Sequence, residues 1–250
     1  MAKLGDLAVG SLVNLNETGV AASYMVVHQG LPSADYDSSC NGTWLLRRDH
    51  CSNQMSYGST TDYASSKIHT WFNDTFFNKL DEHIRDAIFN VKIPYQSGST
   101  VMTGSNGLQT KIFAPSVTEV GKKPNSMLKC NVIGAAWEYF ASDNTLINNY
   151  TSTRNWWSRS PSTEEAGYIC CANTTATINS ATVRVLPAMV IDPKMSVDKN
   201  GFVTKASIAG QATIGATGKE ISGGYCNVGG VWKEVSEAYV NVNGVWKPAF

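Results

Sequence analysis

No apolar run in the 250-residue chain reaches the eighteen or so residues that a bilayer-crossing helix needs. Met1-Ala2-Lys3-Leu4-Gly5-Asp6 has no hydrophobic core of the kind a secretory signal carries. The expectation is a chain made in a cytoplasm without membrane insertion. Net charge is also missing: twenty basic and twenty acidic residues cancel, and no Lys/Arg run gives a sequence-independent grip on phosphate backbones. Nucleic acid is therefore not an expected partner.

Metal and redox signatures are sparse. The six cysteines, Cys40, Cys51, Cys130, Cys170, Cys171 and Cys226, contain no CxxC pair and no Cys/His spacing that suits zinc. Adjacent Cys170 and Cys171 point to opposite faces if extended, which makes them a poor chelate. Ordinary buried thiols are expected, and a Cys40–Cys51 bridge is not decided by sequence. Asp35, Asp37, Asp49, Asp62 and Asp143 offer oxygens for calcium, but no regular Asp-x-Asn-x-Asp ladder arranges them. No metal and no cofactor are assigned. Catalytic motifs are lacking too. His28, His50, His69 and His83 are scattered, and there is no Gly-x-Ser-x-Gly elbow and no phosphate loop. His69 reads as a core-edge histidine, and Asp49-His50-Cys51 as neighbours in sequence that do not converge. No catalytic residue is assigned and an enzyme is not expected.

What the chain does have is a tryptophan cassette, Trp156-Trp157-Ser158-Arg159-Ser160-Pro161, then an interval rich in Asn, Thr and Ser, then Val185-Leu186-Pro187-Ala188-Met189-Val190-Ile191. Each buried tryptophan removes roughly 150–250 Å² from water, at about 25 cal/mol per Å². The cassette is expected to anchor a core, with Ser158 to Pro161 turning the chain outward. Thr163, Glu164, Glu165, Tyr168, Asn173, Thr175, Asn179 and Ser180 are the short polar or aromatic types that make adaptable contacts at low entropic cost. They are the candidate ligand-binding residues, together with Arg184; a solvated hairpin would have the same composition.

Hairpin arms are expected at Leu12–Leu15 and Tyr24–His28 around a turn at residues 16–19, and a strand at Trp44–Arg48. Helices fall within about 62–90: Thr61 or Asp62 caps a first, Asp74 or Thr75 begins a second, and Asp81 offers a restart. Lys111–Ala114 is a short strand, and Ser116-Val117-Thr118-Glu119 has the capping-box pattern of a helix start. Strands at both ends, two or three early helices and long irregular loops make an α+β domain. Loops of that length in a compact domain are usually functional.

Several pieces together resemble the DUF6273 family: Leu4-Gly5-Asp6-Leu7 with Val9-Gly10-Ser11, Tyr24–His28, Asn41-Gly42-Thr43-Trp44-Leu45-Leu46-Arg47, Ile68-His69, the tryptophan cassette, and Val197-Asp198-Lys199-Asn200-Gly201. The resemblance covers roughly residues 4–203. It implies a C-type-lectin-like domain, similar to formylglycine-generating-enzyme-like folds and found in phages and prophages, whose late loops display binding residues. In one respect the chain departs from the family. Where an arginine usually precedes the Pro-Ala of the last strand, this chain has Leu186; Arg184, two residues upstream on the same strand face, has a shifted reach.

At the end, Tyr225-Cys226-Asn227-Val228-Gly229-Gly230-Val231-Trp232-Lys233 recurs as Tyr239-Val240-Asn241-Val242-Asn243-Gly244-Val245-Trp246-Lys247, a period of 14. Gly-Gly and Asn-Gly between alternating arms signal hairpins. Neither hairpin can bury its tryptophan alone, so Tyr225, Trp232, Tyr239 and Trp246 are the candidate assembly residues. The expected organisation is a domain over 1–203, a Gly/Ala/Thr-rich linker or extended strand over 204–224, and a β-hairpin appendage over 225–250.

The expected function is that of a bacteriophage virion structural protein, a tail, fibre or surface component whose lectin-like face binds host-surface or mucosal glycans or proteins. Its expected partners are other virion proteins and further copies of itself. A purely architectural decoration protein is the alternative. A formylglycine-generating-enzyme-like oxidase is the lesser one, because its thiol pair would have to be assembled from Cys130, Cys170, Cys171 or Cys226 without a spacing that predicts it.

Overall fold

A computed structural model describes residues 2–122, 129–141, 156–164, 167–171, 176–205, 224–228, 231–235, 239–242 and 245–248. The chain divides into two compact units, Met1–Ala206 and Ser207–Phe250. The first is a mixed α+β unit, mostly strands in several small antiparallel sheets with one long helical run.

Its largest sheet has five antiparallel strands in the order Ile112–Phe113, Ala188–Ile191, Gly42–Arg47, Val20–Gly30 and Leu12–Glu17. The first two long strands pair as far as Glu17↔Val20, so the turn is only Thr18-Gly19, shorter than the turn at 16–19 expected from sequence. Both turn residues have positive φ, 55° and 79°, as a two-residue hairpin requires. The pairing extends because Glu17 is fixed by its side chain, which accepts bonds from Tyr24 at 2.6 Å and Arg47 at 2.7 Å.

Gly42–Arg47 lies at the centre of the sheet and is buried along nearly its whole length. Trp44 is fully buried and meets Tyr36, Phe113 and Trp137 at ring distances of 5.4, 5.8 and 5.6 Å. A Cβ on Gly42 would lie 2.7 Å from Val190 Cγ1 and 3.0 Å from the Ile191 carbonyl, so close strand approach excludes a side chain there.

One helical run covers the sheet: α over Lys67–Thr70, π over Trp71–Phe76, and 3-10 over Phe77–Lys79. Its cap is Ser66, whose hydroxyl accepts the His69 N–H at 3.1 Å; Asp62 instead caps the preceding short 3-10 turn, Tyr63–Ser65. The second start expected at Asp74 or Thr75 does not occur, because the run passes through both. The wide π turn goes with Asn73, whose amide donates to the His69 and Ile112 carbonyls, both at 3.0 Å, while its oxygen accepts from Lys111 and Ile112 N–H groups. Asn73 thus joins the helix to the sheet's edge strand. The chain becomes extended at Leu80 and re-enters a helix at Glu82–Ala87 after Asp81, at the restart the sequence offered.

Cys40, Cys51, Cys130 and Cys170 are free thiols, so no Cys40–Cys51 bridge exists. The second unit is described as two separate hairpins, Gly224–Val228 with Val231–Val235 and Tyr239–Val242 with Val245–Pro248. Their registers close on Val228↔Val231 and Val242↔Val245, which leaves two residues for each connection. Trp232 pairs with Asn227 and Trp246 with Asn241 at equivalent positions; Tyr225 and Tyr239 pair with Glu234 and Pro248.

Candidate functional site

The tryptophan cassette opens the site. Trp156 and Trp157 are buried, and the Trp157 indole donates to the Met55 carbonyl at 2.7 Å. Ser158, Arg159 and Ser160 are also fully buried, so the chain does not turn outward there as expected. Trp157–Pro161 is an irregular strand paired with Tyr168–Cys171, which in turn pairs with Ala176–Ile178.

A buried guanidinium holds this strand inward. Arg159 forms a bidentate pair with Glu119, Nη1 to Oε2 and Nη2 to Oε1 both at 2.5 Å, and donates to the Pro94 and Ala114 carbonyls at 2.8 and 2.9 Å. Glu119 also accepts the Tyr36 hydroxyl at 2.6 Å and the Ser116 N–H at 2.9 Å. Four of the five arginine donors and all four lone-pair directions of the carboxylate therefore have partners, the condition under which a buried ion pair is tolerated. Burial works to lower the Arg159 pKa, but the charge and hydrogen bonds of Glu119 outweigh it and hold it above its ordinary value. Burial, with the Glu119 charge beside it, keeps Tyr36 well above the usual phenol range.

Ser116–Glu119 does form the reciprocal bonds of a capping box, with Glu119 N–H donating to Ser116 Oγ at 3.1 Å. No helix follows. The chain makes a tight turn, Lys122 N–H to Val117 O at 2.9 Å, with Gly121 at φ 79°. The Glu119 carboxylate is committed to Arg159, so this capping motif serves a buried ion pair. The Arg159–Glu119–Tyr36 network went unrecognised in the sequence, where an arginine beside two tryptophans in an alternating strand was its one available signal.

Beyond Pro161 the environment reverses. Thr163 is exposed and its N–H donates to the Lys129 carbonyl at 2.8 Å; Glu164 is exposed and pairs with the Lys129 ammonium. Asn179 and Ser180 form the turn after Ala176–Ile178, with Ser180 exposed. Asn179 is tied by three bonds: its N–H to the Gly167 carbonyl at 2.8 Å, its amide to the Thr60 carbonyl at 3.2 Å, and its own carbonyl to the Tyr57 N–H at 2.9 Å. Tyr168 begins a strand opposite Ile178. Glu165, Asn173 and Thr175 lie outside the described residues. The described candidates Thr163, Glu164, Tyr168, Asn179 and Ser180 therefore sit at the same end of one small sheet, its polar edge.

Arg184 sits apart from that edge, in a strand paired with Gln54–Met55, and its Nη1 donates to His50 Nε2 at 2.5 Å. Since guanidinium only donates, His50 carries its proton on Nδ1, which is buried without a partner among the described residues. Leu186 is fully buried and belongs to the core.

Burial pushes the thiols of Cys40 and Cys51 up to about 12, which keeps both protonated at neutral pH. The fold does bring one thiol pair together. Cys130 and Cys170 pack against each other and Val117 in a small buried cluster apart from the main core. No group of three His, Cys, Asp or Glu side chains positioned for a metal occurs among the described residues, and Asp37 and Asp62 cap short turns instead. His69 is half-buried with its ring 5.3 Å from Tyr63, and burial lowers its pKa against a weaker opposing bond to the Ala64 backbone.

A family model described as "Domain of unknown function (DUF6273)" matches residues 41–193, a span that includes the cassette, the Arg159–Glu119 pair and both ends of the polar interval. No curated protein and no solved structure matches the chain.

Proposed function

The chain belongs to the DUF6273 family, and we propose that it is a binding module of a bacteriophage virion, with a lectin-like face over residues 163–180 that contacts host-surface or mucosal glycans or proteins. One observation carries the reading: a strand that is buried from Trp157 to Pro161 and locked by Arg159 continues directly into exposed Thr163 and Glu164. A rigid support under an exposed, short-side-chain polar edge is what a binding surface requires, since preorganisation reduces the entropy lost on contact. Serine, threonine and asparagine suit the hydroxyl-rich surface of a glycan through paired donors and acceptors.

Glycan-array and host-cell binding by the full chain tests this. Thr163→Arg, Ser180→Arg, Tyr168→Ala and Asn173→Ala are expected to weaken binding at least tenfold. Undiminished binding by all four removes this face from the account.

A second, architectural reading is favoured by the repeated hairpins of the second unit, each too small to be stable alone. In it, Tyr225, Trp232, Tyr239 and Trp246 join copies of the chain or dock it to other virion proteins. Light scattering of the full chain carrying Trp232→Ser and Trp246→Ser tests that role: a smaller particle supports it, and an unchanged oligomeric mass excludes the hairpins as the assembly element.

A further inference from the structure

Cys130 and Cys170 occupy an unusual place. Cys130 bridges Ser162, the residue that leaves the buried strand, and follows Lys129, which receives the Thr163 N–H and pairs with Glu164. Cys170 lies in the adjacent strand, where its carbonyl accepts the Ser158 hydroxyl and its sulfur lies 4.0 Å from the Lys129 carbonyl. The two thiols thus approach the exit of the buried strand from two segments far apart in sequence. They contact each other there, with Val117 as the third member of their cluster.

We propose that Cys130 and Cys170 are a redox-active pair that closes to a disulfide and ties the Lys129 segment to the strand beneath the polar edge. The proposal is independent of what that edge binds. The Cys130 thiol donates a hydrogen bond to the Cys170 sulfur, which lowers the Cys170 pKa and raises that of Cys130. Cys170 is thereby the nucleophile of the pair, unlike Cys40 and Cys51, which burial keeps protonated.

A peroxide is the oxidant. The Cys170 thiolate attacks one peroxide oxygen, the O–O bond breaks, and sulfenic acid and hydroxide form. Hydroxide takes the Cys130 proton and becomes water. The Cys130 thiolate then attacks the Cys170 sulfur, forming the S–S bond and releasing a second hydroxide, which leaves as water with the proton Cys170 had given to solvent. The two thiols lose two electrons and two protons in all, and one peroxide becomes two waters.

The test uses the reduced full chain and hydrogen peroxide, followed by alkylation of remaining thiols under denaturing conditions and peptide mapping without reductant. The expected result is a linked peptide joining Cys130 to Cys170, two of the six thiols protected from alkylation, full reversal by dithiothreitol, and a higher urea midpoint for the oxidised chain. Cys130→Ser and Cys170→Ser should each abolish both the link and the shift; Cys130→Ala and Cys170→Ala serve if the serine forms fold poorly. The proposal is overturned if both thiols stay free, if Cys130 links to Cys171 or another cysteine, or if Cys170 passes to sulfinic acid without a bridge.

Discussion

Residues 157–161 and the nearby positions Thr163, Glu164 and Ser180 are opposite in environment. In the first stretch even a guanidinium is fully buried, and its polar atoms are matched by Glu119, Pro94 and Ala114. At the second set of positions the side chains are exposed and make few bonds. The contrast teaches that the two stretches divide the work. Positional accuracy comes from a buried polar network that cannot be changed piecemeal, while the neighbouring surface can change its side chains at little cost to the fold.

The sharpest way to break this contrast is to remove one half of the ion pair. Arg159→Met leaves the Glu119 carboxylate buried and unpaired, and should cost about 3–5 kcal/mol in urea unfolding. The double variant Arg159→Met/Glu119→Met should recover much of that loss, because no uncompensated charge remains. A loss under about 1 kcal/mol for the single change would show that water relieves the carboxylate and the network is not the anchor.

Gly134→Ala comes next. Gly134 has φ +72°, and a Cβ there would lie 2.2 Å from the Tyr36 hydroxyl oxygen, so Tyr36 must leave Glu119. A loss of about 1–3 kcal/mol is expected, and a crystal structure of the variant should show the hydroxyl displaced.

Acidification gives a smaller effect on the frame. Burial lowers the pKa of His28, against an opposing Glu138 charge, and also that of His69; His28 Nδ1 accepts the Glu138 N–H at 3.2 Å and must be neutral to do so. With folded pKa values below the unfolded value of about 6.5, the unfolded state takes up protons first. The stability present above pH 6.5 is therefore lost as pH falls through that value toward the lowered folded pKa values. Thermal melts at pH 7.5 and 5.5 should show the drop, and His69→Gln should reduce it. A midpoint that rises on acidification would contradict the burial assigned to both rings.

Glu164→Gln should have the least effect. The Lys129–Glu164 pair is 44% and 55% exposed, so solvent screens it and less than about 0.5 kcal/mol is expected. A larger loss would mean that the edge is part of the frame.

The sequence carried the first hairpin, the Trp44 strand, the helical region and the burial of Trp156 and Trp157, because alternation, caps and aromatic size act locally. It misjudged what depends on distant partners. Asp74 and Thr75 looked like a helix start, but Asn73 holds the helix through that point by bonds to residues 111 and 112. Ser116–Glu119 looked like a helix cap, and makes the cap's bonds, but Glu119 is taken by an arginine forty residues later. Cys130 and Cys170 meet with no spacing to announce it. At the candidate face, composition pointed to residues 163–180, yet Arg184 turned out to be engaged with His50 rather than grouped with them.

Binding by the double variant Thr163→Arg/Ser180→Arg on a glycan array, with its urea unfolding measured alongside, decides whether the polar edge is a binding face. Its unfolding free energy should stay within about 0.5 kcal/mol of the parent, as for surface changes, while the binding shown by the parent chain is lost. Full binding by the variant, or a parent chain that binds neither the array nor host cells, would rule out a binding face at this edge.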